Sequence, residues 1–326
     1  MIELIRHTSE TNTAWDACVR TARQAVFLFE RGYMDYHADR FTDHSLLAYR
    51  HGLLIAVLPA HEREQAWISH GGLTFGGIVS GPQFRLADMI DLVGTLIDYA
   101  RTHGFRQWIY KPVPPIYHTA PAQDDIYTLS LAGATLRSRA LSLCIDLHSP
   151  FGAPSRRMGG VKTAQARGVT VAESTDLASF WAILTDRLRT AHGTDPVHSL
   201  DEMRLLHSRF PGQIRLYGAF QAERMIAGVL MYENARAARA QYIAADETGR
   251  SVSAVDLIMY DLLTRFYRGS RLQWVELGTS VRPENNTINA GLFAQKEKIG
   301  GRPLLVDTYV LDIAAADVQR LRMHLT

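Results

Sequence analysis

The sequence predicts an α/β (α+β) chain of two tandem domains, each a mixed, mostly antiparallel sheet flanked by helices, divided as 1–150 and 151–326. Three observations carry this reading. At roughly 150 residues per domain, 326 residues make about two. Two amphipathic segments share one apolar phase at an offset of 166: Met89, Leu92, Val93, Leu96, Ile97 and Ala100 against Val255, Ile258, Met259, Leu262, Leu263 and Phe266. Each segment is followed by the same strand core, Gln107-Trp108-Ile109 and Gln273-Trp274-Val275, at that same offset of 166. A common phase over a whole helix, with Gln-Trp behind it, reads as one fold used twice.

The elements follow in chain order. Residues 46–49 read as a strand, His51-Gly52 as a turn, 53–60 as a second strand and 66–69 as a third. The helix 87–103 ends at Gly104, where a left-handed cap is expected. The stretch 149–168 joins the halves: Pro150, Gly152, Pro154, Gly159, Gly160 and Gly168 punctuate it, and Arg156, Arg157, Lys162 and Arg167 make it basic. It reads as a phosphate contact or as a solvated linker. Helix 176–192 presents Leu177, Phe180, Trp181, Leu184 and Leu188 on one face. Ser199 and Glu202 form a capping box for the next helix, which Pro211-Gly212 ends. Strands 214–220, 225–232 and 240–244 make a second meander. Helix 253–268 closes at Gly269, and strand 304–311 and helix 314–325 complete the chain.

Composition narrows the function classes. Hydrophobic residues are 47% and charged residues 21%, ordinary for a globular protein and unlike disorder or coiled coil. A net charge of +2 argues against nucleic-acid backbone as the main partner. The longest apolar run, 53–60, is far short of a membrane span, and Met1–Glu10, with Glu3, Arg6, His7 and Glu10, does not read as a signal peptide. Cys18 and Cys144 allow one disulfide at most, so a reducing, cytoplasmic setting is expected. The histidines do not assemble a metal motif: His37 and His44 are two helical turns apart, His192 and His198 share no face, and there is no His-Glu-x-x-His or Cys-x-x-Cys. No metal is expected. Dinucleotide-binding and ATPase glycine motifs are absent from the sequence too.

Candidate site residues fall in five places. His70-Gly71-Gly72 follows a strand, with Gly76-Gly77 close behind; glycines admit a ligand to the backbone, and His70 is a candidate general base near neutral pH or a structural turn residue. Lys111, Tyr117 and His118 flank a proline-stiffened loop suited to a nucleotide diphosphate or sugar, or simply a rigid surface loop. Tyr36 and Arg40, in a polar-aromatic cluster with Tyr33, Asp35 and Asp43, form an acceptor wall or domain packing. Gly249, Arg250, Ser251 and Ser253 lie at a strand-to-helix turn, where N–H groups and Arg250 can hold a pyrophosphate and Ser253 can cap. Asn285, Asn286 and Asn289 can hold sugar hydroxyls or form turns.

In the second half the order helix, helix, three-stranded meander, helix, strand, strand is that of a GNAT acyltransferase domain. That half resembles the FemAB-like branch of the GNAT superfamily through Arg156-Arg157…Lys162, Met225-Ile226-Ala227-Gly228, Val275-Glu276-Leu277-Gly278-Thr279-Ser280 and Gln295-Lys296-Glu297-Lys298-Ile299-Gly300-Gly301. The last stretch is similar to the family's phenylalanine-lysine…phenylalanine-glycine ending, with Gln295 and Ile299 in place of the aromatics. A narrower resemblance, through His70–Gly77, Lys111–His118 and Asn289-Ala290-Gly291-Leu292, is to sugar N-acyltransferases of surface-polysaccharide pathways. It implies coenzyme A as acyl carrier and a nucleotide-linked amino sugar as acceptor, with Lys296 stabilising charge on the acyl oxygen or contacting a phosphate. The donor motif departs from the family's, Gly249 and Val252 standing where arginine and glycine are expected. Two alternatives stay open: an aminoacyl-tRNA-dependent FemAB-type peptidyl ligase, and a non-catalytic GNAT-like binding module. An acyl carrier protein as donor and an oligomeric state are open as well. The acceptor is expected between the two domains.

Overall fold

The computed structural model describes residues 1–149, 158–282 and 287–323. The strands are β1 (Ile2–Arg6), β2 (Thr42–Asp43), β3 (Leu46–Arg50), β4 (Leu53–Leu58), β5 (Ala60–Arg63), β6 (Ala66–Ser69), β7 (Val79–Ser80), β8 (Gln107–Tyr110), β9 (Thr135–Asp146), β10 (Thr170–Ser174), β11 (Ile214–Gln221), β12 (Arg224–Glu233), β13 (Ala237–Ala245), β14 (Trp274–Thr279), β15 (Val281–Arg282), β16 (Thr287–Ile288) and β17 (Arg302–Asp312). The α-helices are α1 (Asn12–Thr21), α2 (Arg31–Met34), α3 (Leu86–Thr102), α4 (Asp124–Leu131), α5 (Met158–Ala166), α6 (Leu177–His192), α7 (Leu200–Arg209), α8 (Glu247–Ser251), α9 (Ala254–Asp261), α10 (Ala290–Lys298) and α11 (Val318–Met323). Two compact units result, Met1–Ala140 with Leu305–Thr326, and Leu141–Leu304. They are cut differently from the 1–150 and 151–326 division, which follows chain order alone: the last strand returns the chain to the first unit.

In the first unit, β1, β3, β4 and β7 form one sheet, and β17, β8, β6, β5 and β2 lie in order in another. His51 and Gly52, with φ of 51° and 76°, make the left-handed two-residue turn that joins β3 to β4. The expected second strand breaks at Pro59, which has no N–H to give a ladder. Before it, β4 pairs with β3 and β7; after it, β5 pairs with β6 and β2. α3 joins β6 to β8, which run parallel with Trp67 opposite Trp108. Its buried face, Met89, Leu92, Val93, Leu96 and Ile97, packs on these tryptophans.

In the second unit the strand order is β10-β11-β12-β13-β14-β9. The ladder is antiparallel except for β13 and β14, which α8 and α9 connect as parallel neighbours. Both units therefore hold one meander, one helical crossover and one parallel strand after it, the shared topology that the 166-residue offset implies. The caps are as the sequence reads: Ser199 and Glu202 exchange both capping-box bonds, at 3.1 and 2.7 Å, and Asp176 accepts from the Ser179 N–H at 3.0 Å. Helix 253–268 differs from expectation. It is α-helical only over Ala254–Asp261, then turns π-helical over Leu262–Phe266, with the Tyr267 N–H on the Leu262 carbonyl at 2.9 Å. The wider turn directs the Tyr267 hydroxyl onto the Glu233 carboxylate at 2.7 Å.

Candidate active site

The second unit opens a fork in its own sheet. β13 and β14 pair at Ala237–Trp274, Ala238–Val275 and Arg239–Glu276, and there the pairing ends. A register shift lies on either side of the fork. Against β12, Tyr242 and Ala240 face Leu230 and Met231, leaving Gln241 as the extra residue. Against β9, the register slips between Glu276 and Thr279, with Gly278 at φ of 74°. Past the crotch each strand offers its inner backbone edge to a cavity of about 510 Å³.

Ile243, Ala244 and Ala245 of β13 and Leu277 of β14 line that cavity from the sheet. Leu184, Arg187, Leu188 and His192 come from α6. Gly249 and Arg250 come from α8, and Ser253, Val255, Asp256 and Met259 from the start of α9. Leu292, Gln295 and Lys296 of α10, with Ile299 just beyond it, close the far wall. The lining is apolar along the strands and polar at the helix ends, the usual build of a small-molecule site.

Lys296 stands at the inner end. Its Nζ donates to the carbonyls of Gly278 and Thr279 at 2.8 and 2.9 Å. Burial lowers its pKa to about 8, the Arg239 guanidinium lowers it further, and Glu276 opposes. Asn289 sets this helix: its side chain accepts from the Leu292 N–H at 3.1 Å as an N-cap. The candidate sugar-binding Asn289 thus serves α10 first. Asn285 and Asn286 lie outside the described residues, as do Arg156 and Arg157.

The candidate donor loop is a short helix rather than an open turn. Asp246 caps α8, accepting from the Gly249 N–H at 2.7 Å. The N–H groups of Arg250, Val252 and Ser253 are taken by the carbonyls of Asp246, Thr248 and Arg250. Gly249 packs so closely that a Cβ there would lie 2.2 Å from the Ile226 carbonyl oxygen. Ser253 precedes α9 at φ of 58° and makes no side-chain cap, a correction to the capping expected of it. Ser251 is exposed, its hydroxyl on the Thr248 carbonyl. Sequence reading missed Asp246, although Asp-x-x-Gly ahead of a helix carries the cap signal.

The other candidates belong to the first unit. His70 is buried among His37, Phe41 and His61, with ring centroids 5.4, 5.0 and 5.5 Å away. Burial first, then the neighbouring His37 and His61, lowers its pKa to about 3. It is a weak base at neutral pH, which corrects its expected role. The glycines beside it make room for rings: a Cβ on Gly72 would lie 1.7 Å from the His37 Nε2, and Gly71 donates to His61 Nδ1 at 3.0 Å. Tyr117 is fully buried against Phe75, and the His118 Nε2 lies 3.0 Å from the Val113 carbonyl oxygen. A fully buried ring has no face for a ligand, so that wall is packing. Tyr36 stacks on His37, Arg40 is exposed, and the Lys111 backbone N–H reaches the Ser69 hydroxyl at 3.1 Å. Among the described residues no group of His, Cys, Asp or Glu side chains is arranged to hold a metal ion, and no helix is long and apolar enough to cross a membrane.

Comparison with known proteins falls on the same unit. Residues 156–285 match the family described as an acetyltransferase (GNAT) domain. No curated protein is matched by the sequence. Among solved structures, FemX is similar with a TM-score of 0.67 at 11% identity, over 99% of each chain. The tandem GNAT protein from the clavulanic acid biosynthesis pathway matches with 0.55 at 14%, over 97% of this chain and 100% of that one. The C-terminal domain of a putative lysylphosphatidylglycerol synthetase from Agrobacterium fabrum matches with 0.61 at 13%, over 96% of each. At these identities the likeness reports the fold, two GNAT-like domains in tandem. The chain carries a GNAT acetyltransferase domain and is an acyltransferase.

Proposed function

We propose that the chain is an N-acyltransferase that takes its acyl group from a coenzyme A thioester held in the fork of the second unit. The acceptor is an amine, and the sequence resemblance points to a nucleotide-linked amino sugar. The observation that carries this reading is the parting of β13 and β14 beyond Arg239 and Glu276, with the cavity in the gap. An unpaired strand edge binds an extended, amide-bearing chain as a further strand would, and the arm of coenzyme A is such a chain. Its thioester would then lie toward Lys296 and its phosphates toward Arg250 and Arg187, which line the same cavity.

In the step itself the neutral amine attacks the thioester carbon, and negative charge grows on the acyl oxygen. The Lys296 ammonium spends two N–H groups on carbonyls and has a third for that oxygen. The C–S bond then breaks, sulfur leaves with the electron pair, and the proton lost by the amine nitrogen ends on the thiolate. Arg250→Ala is expected to raise the apparent KM for acyl-CoA about tenfold while leaving the acceptor KM unchanged; an unchanged donor KM refutes the phosphate placement.

One observation favours an aminoacyl-tRNA donor instead. Asp246 occupies the Gly249 N–H, and Asp256 lines the cavity at the start of α9, so two carboxylates stand where a pyrophosphate would rest. Calorimetric titration with coenzyme A separates the two readings. Binding supports the first; no binding, with a thermal shift on charged tRNA, supports the second.

A further inference from the structure

Arg239 and Glu276 form the last pair before the fork, and both sit deep in it, with 19% and 1% of their side-chain surfaces exposed. One Glu276 oxygen accepts from the Arg239 Nη1 and from the Ser142 hydroxyl, each at 2.6 Å. The guanidinium is thereby fixed from below. Two residues on, Gly278 adopts φ of 74° and carries no side chain. A Cβ there would lie 3.7 Å from the Arg239 Nη2 and 4.0 Å from the Lys296 Nζ. Two cations on different elements, β13 and α10, thus flank the space that glycine leaves open. Lys296 borders the cavity on the same side.

We propose that Arg239 and Lys296 form a clamp for a single negative charge in the space above Gly278, with Glu276 and Ser142 as its positioning residues. Charge arithmetic supports this. Two cations face one carboxylate, leaving a surplus of one positive charge in a largely buried place, where unpaired charge is costly until an anion arrives. The depressed Lys296 pKa has the same origin, since Arg239 works against its charge. A planar guanidinium and an ammonium together suit a carboxylate or an acyl oxyanion. On the acyl-transfer reading, on which this role rests, the occupant is the oxyanion formed as the amine attacks, and Arg239 becomes a second catalytic residue beside Lys296.

The test uses acetate as the probe and the full chain labelled with 13C-lysine, whose Cε resonance follows the state of Nζ. The lysines are Lys111, Lys162, Lys296 and Lys298, so loss of a signal in Lys296→Arg assigns the relevant one. Arg239→Gln alone strands Glu276 as a buried charge and endangers folding. The variant is therefore Arg239→Gln with Glu276→Gln, which removes both charges. Acetate is expected to shift the Lys296 resonance in the native protein and to bind at least tenfold more weakly in the double variant. An unmoved resonance in the folded native protein, or equal affinity in both, overturns the clamp. With acetyl-CoA and an amine acceptor, the double variant should lose about a hundredfold in kcat with the donor KM unchanged. If acetate binds through Arg239 but the native protein transfers no acyl group from acetyl-CoA or charged tRNA, the clamp stands and the acyl-transfer reading falls.

Discussion

Lys296 illustrates how one side chain acquires a role from its surroundings. On α10 a lysine ordinarily extends its charged end into water, but this one turns inward to two carbonyls on β14. The cost of burying the ammonium brings its pKa to about 8. If the charged form stabilises the acyl oxygen, kcat should be flat below that pH and fall as the pH rises through about 8. Lys296→Arg keeps its charge throughout, so the alkaline limb should vanish even where the rate is lower. A limb that persists in the arginine variant assigns it to another group. Arg239 and Glu276 escaped the sequence reading for a physical reason: their pairing lies across two strands 37 positions apart, and nothing in either local pattern marks them.

At the scale of elements, the two meanders solve the same hairpin with different chemistry. The first unit uses His51-Gly52, with glycine at one of the two left-handed positions. The second uses Ala222-Glu223, at φ of 47° and 67°, two side-chain-bearing residues in a conformation that costs each roughly 1–2 kcal/mol. Ala222→Asn with Glu223→Gly supplies the residues such a turn prefers, and should raise the free energy of unfolding by about 1–2 kcal/mol in urea denaturation. No gain means that the turn is held by the flanking ladder alone. The crossovers also differ between the units. β8 and β6 of the first unit are bridged beyond their ends: Gly76 pairs with Pro112 and donates to the Lys111 carbonyl at 2.8 Å. A loop of the first unit thus fills the place where β13 and β14 of the second unit part.

Over the whole molecule, acid stability is where the histidines should speak. His61 and His70 are both buried, with pKa values lowered to about 4 and about 3 from an ordinary 6.5. Below pH 6.5 the unfolded chain binds protons there that the folded chain refuses. Their contribution is therefore fully present above that pH and is lost as the pH falls toward 4 and then 3. Near pH 5 the two together should tilt stability by about 2.7 kcal/mol per pH unit, and His70→Gln should halve that part of the slope. Urea unfolding between pH 4.5 and 6.5 measures it. A slope unchanged by the variant removes His70 from the account.

The duplication, the helical crossovers and the caps at Asp176 and Ser199 were legible because each rests on short-range signals: apolar phase, glycine at a helix end, a capping pair three residues apart. Lys296 and the Gly249–Arg250 turn were legible as candidates, Lys296 through a family-like ending and the turn through its place between strand and helix. Burial was not. His70, Tyr117 and His118 carry the residue types of a site, yet whether a ring faces a ligand or a core depends on what the rest of the chain packs against it. The fork, the clamp above Gly278 and the return of the last strand to the first unit each need contacts between residues far apart in the chain. A local pattern can specify a strand; only the assembled sheet decides where two strands part.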